Sequence, residues 1–183
     1  MTNMSVALIG FGEVGVILAE DLRDASIDLT AWDVLFADSA SAPSRSAAAR
    51  SIQRAASAAK AVQSAEIVIS AVTAGQTIAA ARAAAIGLRR GAFYLDLNSA
   101  SPASKQEAAG LVEAAGGRYV EAAVMSPVPP KRIASPILLG GPHAEAFAAH
   151  AKHLGFSGAR FFTAELGRAS AGKWKARHWA RRV

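Results

Sequence analysis

The chain has no cysteine, which removes disulfides, thiolate catalysis and cysteine-ligated zinc together. Its four histidines, His143, His150, His153 and His178, offer no metal-ligand spacing. His150 and His153 stand three apart and read as the solvated face of a surface helix, so no metal is expected. No apolar run approaches the length that spans a bilayer, and the N-terminus lacks a basic segment followed by a signal-type apolar core. The expectation is a cytoplasmic protein with no membrane partner. Acidic residues are missing from one region in particular. From Arg168 to Val183 there are six basic residues, Arg168, Lys173, Lys175, Arg177, Arg181 and Arg182, and no acid. The rest carries fourteen basic and fourteen acidic groups, so the formal charge of +6 belongs to the tail. Charge confined to a tail without a folded motif argues against a nucleic-acid partner.

What is present is a glycine pattern close to the N-terminus. At 183 residues the chain suffices for one well-buried domain, or for one domain and the start of another. The stretch Val6 to Gly15 sets Gly10, Gly12 and Gly15 in a GxGxxG pattern, behind a short apolar run and ahead of a helical one. In a dinucleotide-binding βαβ unit the first glycine permits the tight turn and the second lets the backbone approach a pyrophosphate. The third allows close packing of helix on strand. The phosphates would rest on a helix N-terminus, where unpaired N–H groups and the helix dipole favour an anion. The expected cofactor contacts from this loop are Gly10, Phe11, Gly12, Glu13, Val14 and Gly15. A second strand-like run, Ile27 to Asp33, ends in an acid eighteen residues after Gly15. Asp33 can accept hydrogen bonds from both ribose hydroxyls and would meet a 2′-phosphate as a like charge, so NAD is expected over NADP. The alternative is that Asp33 only caps the next turn.

Further along, Phe36 to Ser44 is polar and interrupted by Pro43, and Arg45 to Ala65 is alanine-rich and reads as helix, with room for a short strand near Ile52. The β-branched run Glu66 to Thr73 has the composition of a strand buried on both faces. Helix is expected from Gln76 to Leu88, strand from Ala92 to Leu97, helix from Ala103 to Ala115 and strand from Arg118 to Val124. A proline-rich turn at Pro127 to Pro130 precedes strand Ile137 to Leu139, helix Ala144 to Leu154 and strand Ala159 to Thr163. This alternation predicts an α/β fold of Rossmann type, a doubly wound and mainly parallel sheet with helices on both faces. Ligands bind outside the carboxyl ends of such strands, so the loops to watch are Gly10 to Gly15, Val72 to Gly75, Asn98 to Pro102 and Met125 to Pro130.

Read together, these loops resemble the β-hydroxyacid dehydrogenase superfamily, which includes 3-hydroxyisobutyrate and 6-phosphogluconate dehydrogenases. The segment Asp96-Leu97-Asn98-Ser99-Ala100-Ser101-Pro102 is similar to that superfamily's loop ending in proline. The segment Val120 to Pro130 is similar to a branch of phosphogluconate-dehydrogenase-like NAD(P)-binding oxidoreductases. The superfamily's catalytic lysine stands six positions after a glycine, and Gly167 to Lys173 has that spacing. By resemblance Lys173 is the general acid or base at a substrate hydroxyl or carbonyl, a role that requires a lysine pKa lowered by partial burial. Hydride would pass between a small-molecule substrate and the nicotinamide. The resemblance implies that Asn98 and Ser99 bridge substrate and nicotinamide and that Val72 and Thr73 flank the cofactor. Other readings stay open beside these. Lys173 can be one more solvated charge in a basic tail. Asn98, Ser99 and Ser101 can form a capped turn into the helix after Pro102, and Pro127 to Pro130 can be a rigid turn only.

The chain departs from the superfamily at two places. Met125-Ser126-Pro127 replaces a glycine-rich substrate loop, and the chain stops ten residues after Lys173, where relatives continue into a helical domain. The division expected is a dinucleotide-binding domain over 1–166 and, over 167–183, the start of an interdomain helix or an aberrant basic tail. A truncated or frameshifted gene would account for it, and weak turnover and self-association through the uncovered surface would follow. A dinucleotide-binding module without turnover, using its basic tail for a partner, is the rival reading. In the tail, Ala176, Trp179, Ala180 and Val183 fall on one helical face.

Overall fold

The computed structural model describes residues 4–25 and 27–173. The chain begins with β1 (Ser5–Ile9), α1 (Glu13–Asp24) and β2 (Asp28–Trp32), then a 3₁₀ turn at Val34–Ala37, α2 (Ala42–Ala49), β3 (Gln53–Arg54), α3 (Ala58–Val62) and β4 (Ile67–Ser70). A 3₁₀ turn at Ala74–Gln76 leads into α4 (Thr77–Ala85), followed by β5 (Phe93–Asp96), α5 (Pro102–Ala114) and β6 (Arg118–Val124). The chain continues with α6 (Val128–Lys131), a 3₁₀ turn at Arg132–Ala134, β7 (Ile137–Gly140), α7 (Ala144–His153) and β8 (Ala159–Thr163). A last helix, α8, begins at residue 168 and is described to 173. The tail face expected at Ala176, Trp179, Ala180 and Val183 lies outside the described residues.

Among the described residues the strands form one eight-stranded sheet in the order β3-β2-β1-β4-β5-β6-β7-β8. Pairing is parallel except between β6 and β7, which run antiparallel. The architecture is the doubly wound α/β sheet that the alternation of elements predicts. Successive strand residues supply opposite faces. Val6, Leu8, Ile67, Ile69, Phe93 and Leu95 pack under α1 and α7. Ala7, Ile9, Val68 and Tyr94 pack under α3, α4 and α5. Alanine dominates the second face, at Ala61, Ala81, Ala84, Ala108 and Ala109, so those helices lie close to the sheet and to one another.

Several boundaries differ from the sequence reading for local reasons. The alanine-rich stretch is broken by a short strand next to Ile52, as its sequence allowed, and the helices on either side start at Ser41 and Ser57, each of which accepts from the amide three residues on. Pro43 sits in the first turn of α2, where its missing N–H costs nothing, so it starts a helix where an interruption was expected. The run Glu66 to Thr73 is sheet only over Ile67–Ser70, because its last residues peel away to line the site. The proline-rich turn is a single turn of helix. His150 is not on a solvated face. Its ring packs 5.0 Å from that of Phe93, while His153 is exposed.

Beneath the end of β5 lies a buried ionic cluster. Asp96 and Lys105 are fully buried and pair at 2.9 Å, and the Lys105 ammonium also donates to the Asp96 carbonyl at 2.8 Å. The Tyr119 hydroxyl donates to the other Asp96 oxygen. Burial and the Asp96 charge push the Tyr119 phenol well above its ordinary range, so it remains a donor. A buried pair of this kind adds little net stability, but removing one partner strands the other charge at a cost of about 3–5 kcal/mol. Total stability is only about 5–15 kcal/mol. Lys105→Met should therefore lower the urea unfolding free energy by about 3–5 kcal/mol, and adding Asp96→Asn should restore much of the loss.

Candidate functional site

The strand order turns back between β1 and β4, the place where an open α/β sheet leaves a crevice at its carboxyl edge. The loop after β1 fills one wall. Gly10 has φ +97°, and a Cβ there would stand 2.5 Å from the Ala71 carbonyl oxygen. A Cβ on Gly15 would stand 2.2 Å from the Gly10 carbonyl oxygen. These two glycines let α1 and the loop after β4 close on each other. Gly12 differs: an added Cβ would meet nothing within 4 Å. It is the N-cap of α1, makes no side-chain cap, and borders the crevice. The first-turn N–H groups of α1 have no acceptor within the helix. Open space over a glycine at a bare helix N-terminus fits a pyrophosphate, and this is the local evidence that the loop suits a dinucleotide.

Asp33 follows β2 and holds the loop from the other side. One carboxylate oxygen accepts from the Phe11 N–H at 2.7 Å and the other from the Leu35 N–H at 2.9 Å. It does cap the next turn, and it also faces a cleft of about 440 Å³ bounded by Gly10, Gly12, Val34, Leu35 and Thr73. A carboxylate has about four acceptor positions, so two backbone bonds leave capacity for ribose hydroxyls. Among the described residues no lysine or arginine lines this cleft. The Phe11 side chain is buried against Phe36 and contributes only backbone to the site.

Ala71, Val72 and Thr73 separate this cleft from a second one of about 640 Å³. Its walls bring together Val14, Asn98, Ser99, Met125, Pro127 and Lys173, which come from four separate segments of the chain. The Lys173 ammonium donates to the Ser99 hydroxyl at 2.8 Å, so a residue at the edge of the basic tail is placed at the end of β5. Asn98 is nearly buried and spends its amide inside the protein. Its Oδ1 accepts from the Val72 N–H at 2.7 Å, and its Nδ2 donates to the Ser70 hydroxyl at 3.0 Å. It ties the β4 loop to the β5 loop, while Ser99 is the one turned towards Lys173. Ser101 caps α5 by accepting from the Ser104 N–H, with Pro102 at the first position.

Two further groups hold the site without being singled out by motif. Arg132 pairs with Glu20 at 2.8 Å and with Asp21 at 2.8 Å, and Arg50 pairs with Glu20 at 2.7 Å. These bonds fasten the proline-rich segment to α1. The two guanidiniums hold the Glu20 carboxyl below the usual glutamate range. Glu121 is fully buried on β6, and its carboxylate accepts from the N–H groups of Gly167 and Ser170, each at 2.7 Å. A charged residue inside the apolar run of β6 was the available signal for Glu121. Lys105, on the apolar face of α5 with Ala108, Ala109 and Val112, carried a similar one. Among the described residues no group of three or more histidine, aspartate or glutamate side chains could hold a metal, and no helix is long and apolar enough to cross a membrane.

A crevice at the turning point of the sheet, a bare helix N-terminus over Gly12 and an acid at the end of β2 define an NAD(P)-binding Rossmann domain. The profile of the NAD-binding domain of 6-phosphogluconate dehydrogenase matches residues 5–166, and the chain belongs to that family. A conserved hypothetical protein from Sinorhizobium meliloti 1021 is 33% identical, with a TM-score of 0.84 over 94% of this chain and 58% of its own. The conserved protein MTH1747, whose structure is described as similar to 3-hydroxyacid dehydrogenases, is 30% identical with a TM-score of 0.82, over 96% of this chain and 64% of its own. A Mycobacterium tuberculosis 3-hydroxyisobutyrate dehydrogenase, solved with L-serine, shares the fold at 20% identity and a TM-score of 0.80, over 94% of this chain and 58% of its own. The chain thus spans less than two thirds of the length of these structures. No curated protein matches it in sequence.

The glycine geometry separates folding from binding. Gly12 has φ −77°, which alanine adopts freely. Gly12→Ala should leave the unfolding free energy within about 0.5 kcal/mol and weaken NADH at least about tenfold, or about 1.4 kcal/mol. Denaturation and fluorescence titration of the same preparation check both. For Glu20, a carboxyl pKa lowered by folding contributes stability above the unfolded pKa, and that stability is lost as pH falls through the lowered folded value. The stability difference between the native chain and Glu20→Gln should therefore be largest near neutrality. It should shrink as pH falls below the ordinary glutamate range, about 4.3, read as urea midpoints on both proteins.

Proposed function

We propose that this domain binds NAD in preference to NADP and serves hydride transfer to or from a hydroxy acid or related carbonyl compound, with Lys173 as the proton-transferring group. The observation that carries the reading is the 2.8 Å bond from Lys173 to Ser99, at the wall of a cleft that shares Ala71, Val72 and Thr73 with the cleft of the glycine loop. The N–H groups at the start of α1 and the open face of Gly12 hold the pyrophosphate. Asp33 accepts from the ribose hydroxyls and repels a 2′-phosphate, and among the described residues no cation lines its cleft to compensate. Val72 and Thr73, shared by the two clefts, flank the cofactor where it passes from one to the other. When bound, the nicotinamide supplies or accepts the hydride. The substrate oxygen gains or loses its proton at the Lys173 Nζ, and Ser99 orients that amine. Asn98 keeps the two loops at a fixed separation and reaches the ligands through that placement.

The reading makes two linked predictions. NADH should bind saturably and at least tenfold more tightly than NADPH, a difference of about 1.4 kcal/mol, and Asp33→Ser should narrow that ratio. Failure of both nucleotides to bind, or a preference for NADPH, would overturn it. Lys173→Met should keep NADH affinity while lowering hydride transfer to a panel of hydroxy acids and carbonyl compounds by at least about a hundredfold. Tight NADH binding with no turnover of any panel member in the native chain would favour a dinucleotide-binding module that does not itself catalyse.

A further inference from the structure

We infer that Glu121 is the positioning residue of Lys173: it caps from outside the helix that carries the lysine and so sets where its amine lies relative to Ser99. This rests on the proton-transfer role proposed for Lys173.

The helix α8 begins without a capping side chain of its own. Gly167 is its N-cap, since the Ala171 N–H donates to the Gly167 carbonyl at 3.1 Å as the first helical bond. In a capping box, the cap side chain accepts from the third amide of the helix and a glutamate there returns to the amide of the cap residue. Glycine can do neither, and the third position is Ser170. Glu121 performs both tasks from β6, with one oxygen on the Gly167 N–H and the other on the Ser170 N–H, each at 2.7 Å. The same carboxylate lies at the positive end of the helix dipole. Surrounding elements leave it one place to sit. A Cβ on Gly140 would come within 2.9 Å of a Glu121 carboxylate oxygen and 3.1 Å of the Ala169 Cβ. Gly167 has φ +88°, so its backbone turns in a way a side chain would strain. Lys173 follows Ser170 by three residues, less than one turn and on the adjoining face. Fixing the Ser170 amide therefore fixes the direction of the Lys173 stem. Through its bonds to the Gly167 and Ser170 amides Glu121 acts on the helix as a whole.

The test uses the full chain, reductively methylated with ¹³C-formaldehyde. The dimethyl-Lys173 resonance is assigned by its loss in Lys173→Arg. Glu121→Gln keeps the volume but replaces one acceptor by a donor facing an N–H. Gly140→Ala leaves Glu121 in place and crowds its oxygen, giving a second variant should the first fail to fold. In either, the Lys173 resonance should move to the position shared by exposed lysines, and the Ser170 amide should exchange with solvent at least tenfold faster. NADH affinity should stay within twofold, because the glycine loop is untouched. Where the native chain turns over substrate, kcat should fall at least tenfold with the KM for NADH unchanged. An unmoved Lys173 resonance in a variant whose Ser170 amide exchanges faster would overturn the inference and leave Glu121 a stabilising cap. Failure of Lys173→Met to change turnover would instead overturn the role of the lysine, whatever the Glu121 variants show.

Discussion

Two carboxylates with no exposure to water, Asp96 and Glu121, stand opposite each other on β5 and β6, and the second cleft is organised around how each is neutralised. Two like charges side by side in a core are tolerable only if each has its own compensation. Asp96 takes Lys105 and the Tyr119 hydroxyl, together with the Asn98 N–H at 2.8 Å. Glu121 takes the amides at the start of α8. The first arrangement shapes the turn bearing Asn98 and Ser99, and the second aims the helix bearing Lys173. Charge burial, which contributes little to net stability, here specifies geometry at the place where two loops and a helix must meet.

The glycine loop obeys a different constraint, close approach of backbones. Gly10 and Gly15 are glycines because the chain behind them leaves no room, whereas Gly12 is a glycine with open space in front of it. The distinction identifies Gly12 as the one of the three that faces open space. Asp33 joins the two halves of this region. Its oxygens hold the Phe11 and Leu35 amides, and this capping role is compatible with the ribose binding proposed for the same side chain. The dinucleotide half of the site is thus preorganised by backbone bonds and needs little from flexible side chains.

The half around Lys173 is assembled from distant parts of the chain. Ser99 and Lys173 are 74 residues apart, and the Arg132 bonds to Glu20 and Asp21 span more than a hundred. Among the described residues the cleft combines the Lys173 cation with an apolar wall from Val14, Met125, Pro127 and Val128. The solved structures it matches are longer, and this chain covers 58–64% of their length.

Local pattern was enough to read the order of strands and helices, the glycine loop and the acid at the end of β2, because each is encoded within a few consecutive residues. Hydrophobic period, turn chemistry and the spacing of three glycines act over one or two turns of chain. Pro43 and the end of β4 escape local pattern because the first turn of a helix and the fraying of a buried strand depend on what packs beside them. Lys173 was legible only through resemblance, since its sequence neighbours look like a basic tail. Its place beside Ser99, the turning of Asn98 into the protein and the burial of Lys105 and Glu121 were decided by tertiary structure. Those outcomes depend on desolvated charges finding partners across the sheet, and a partner reached through space leaves no local mark on the sequence.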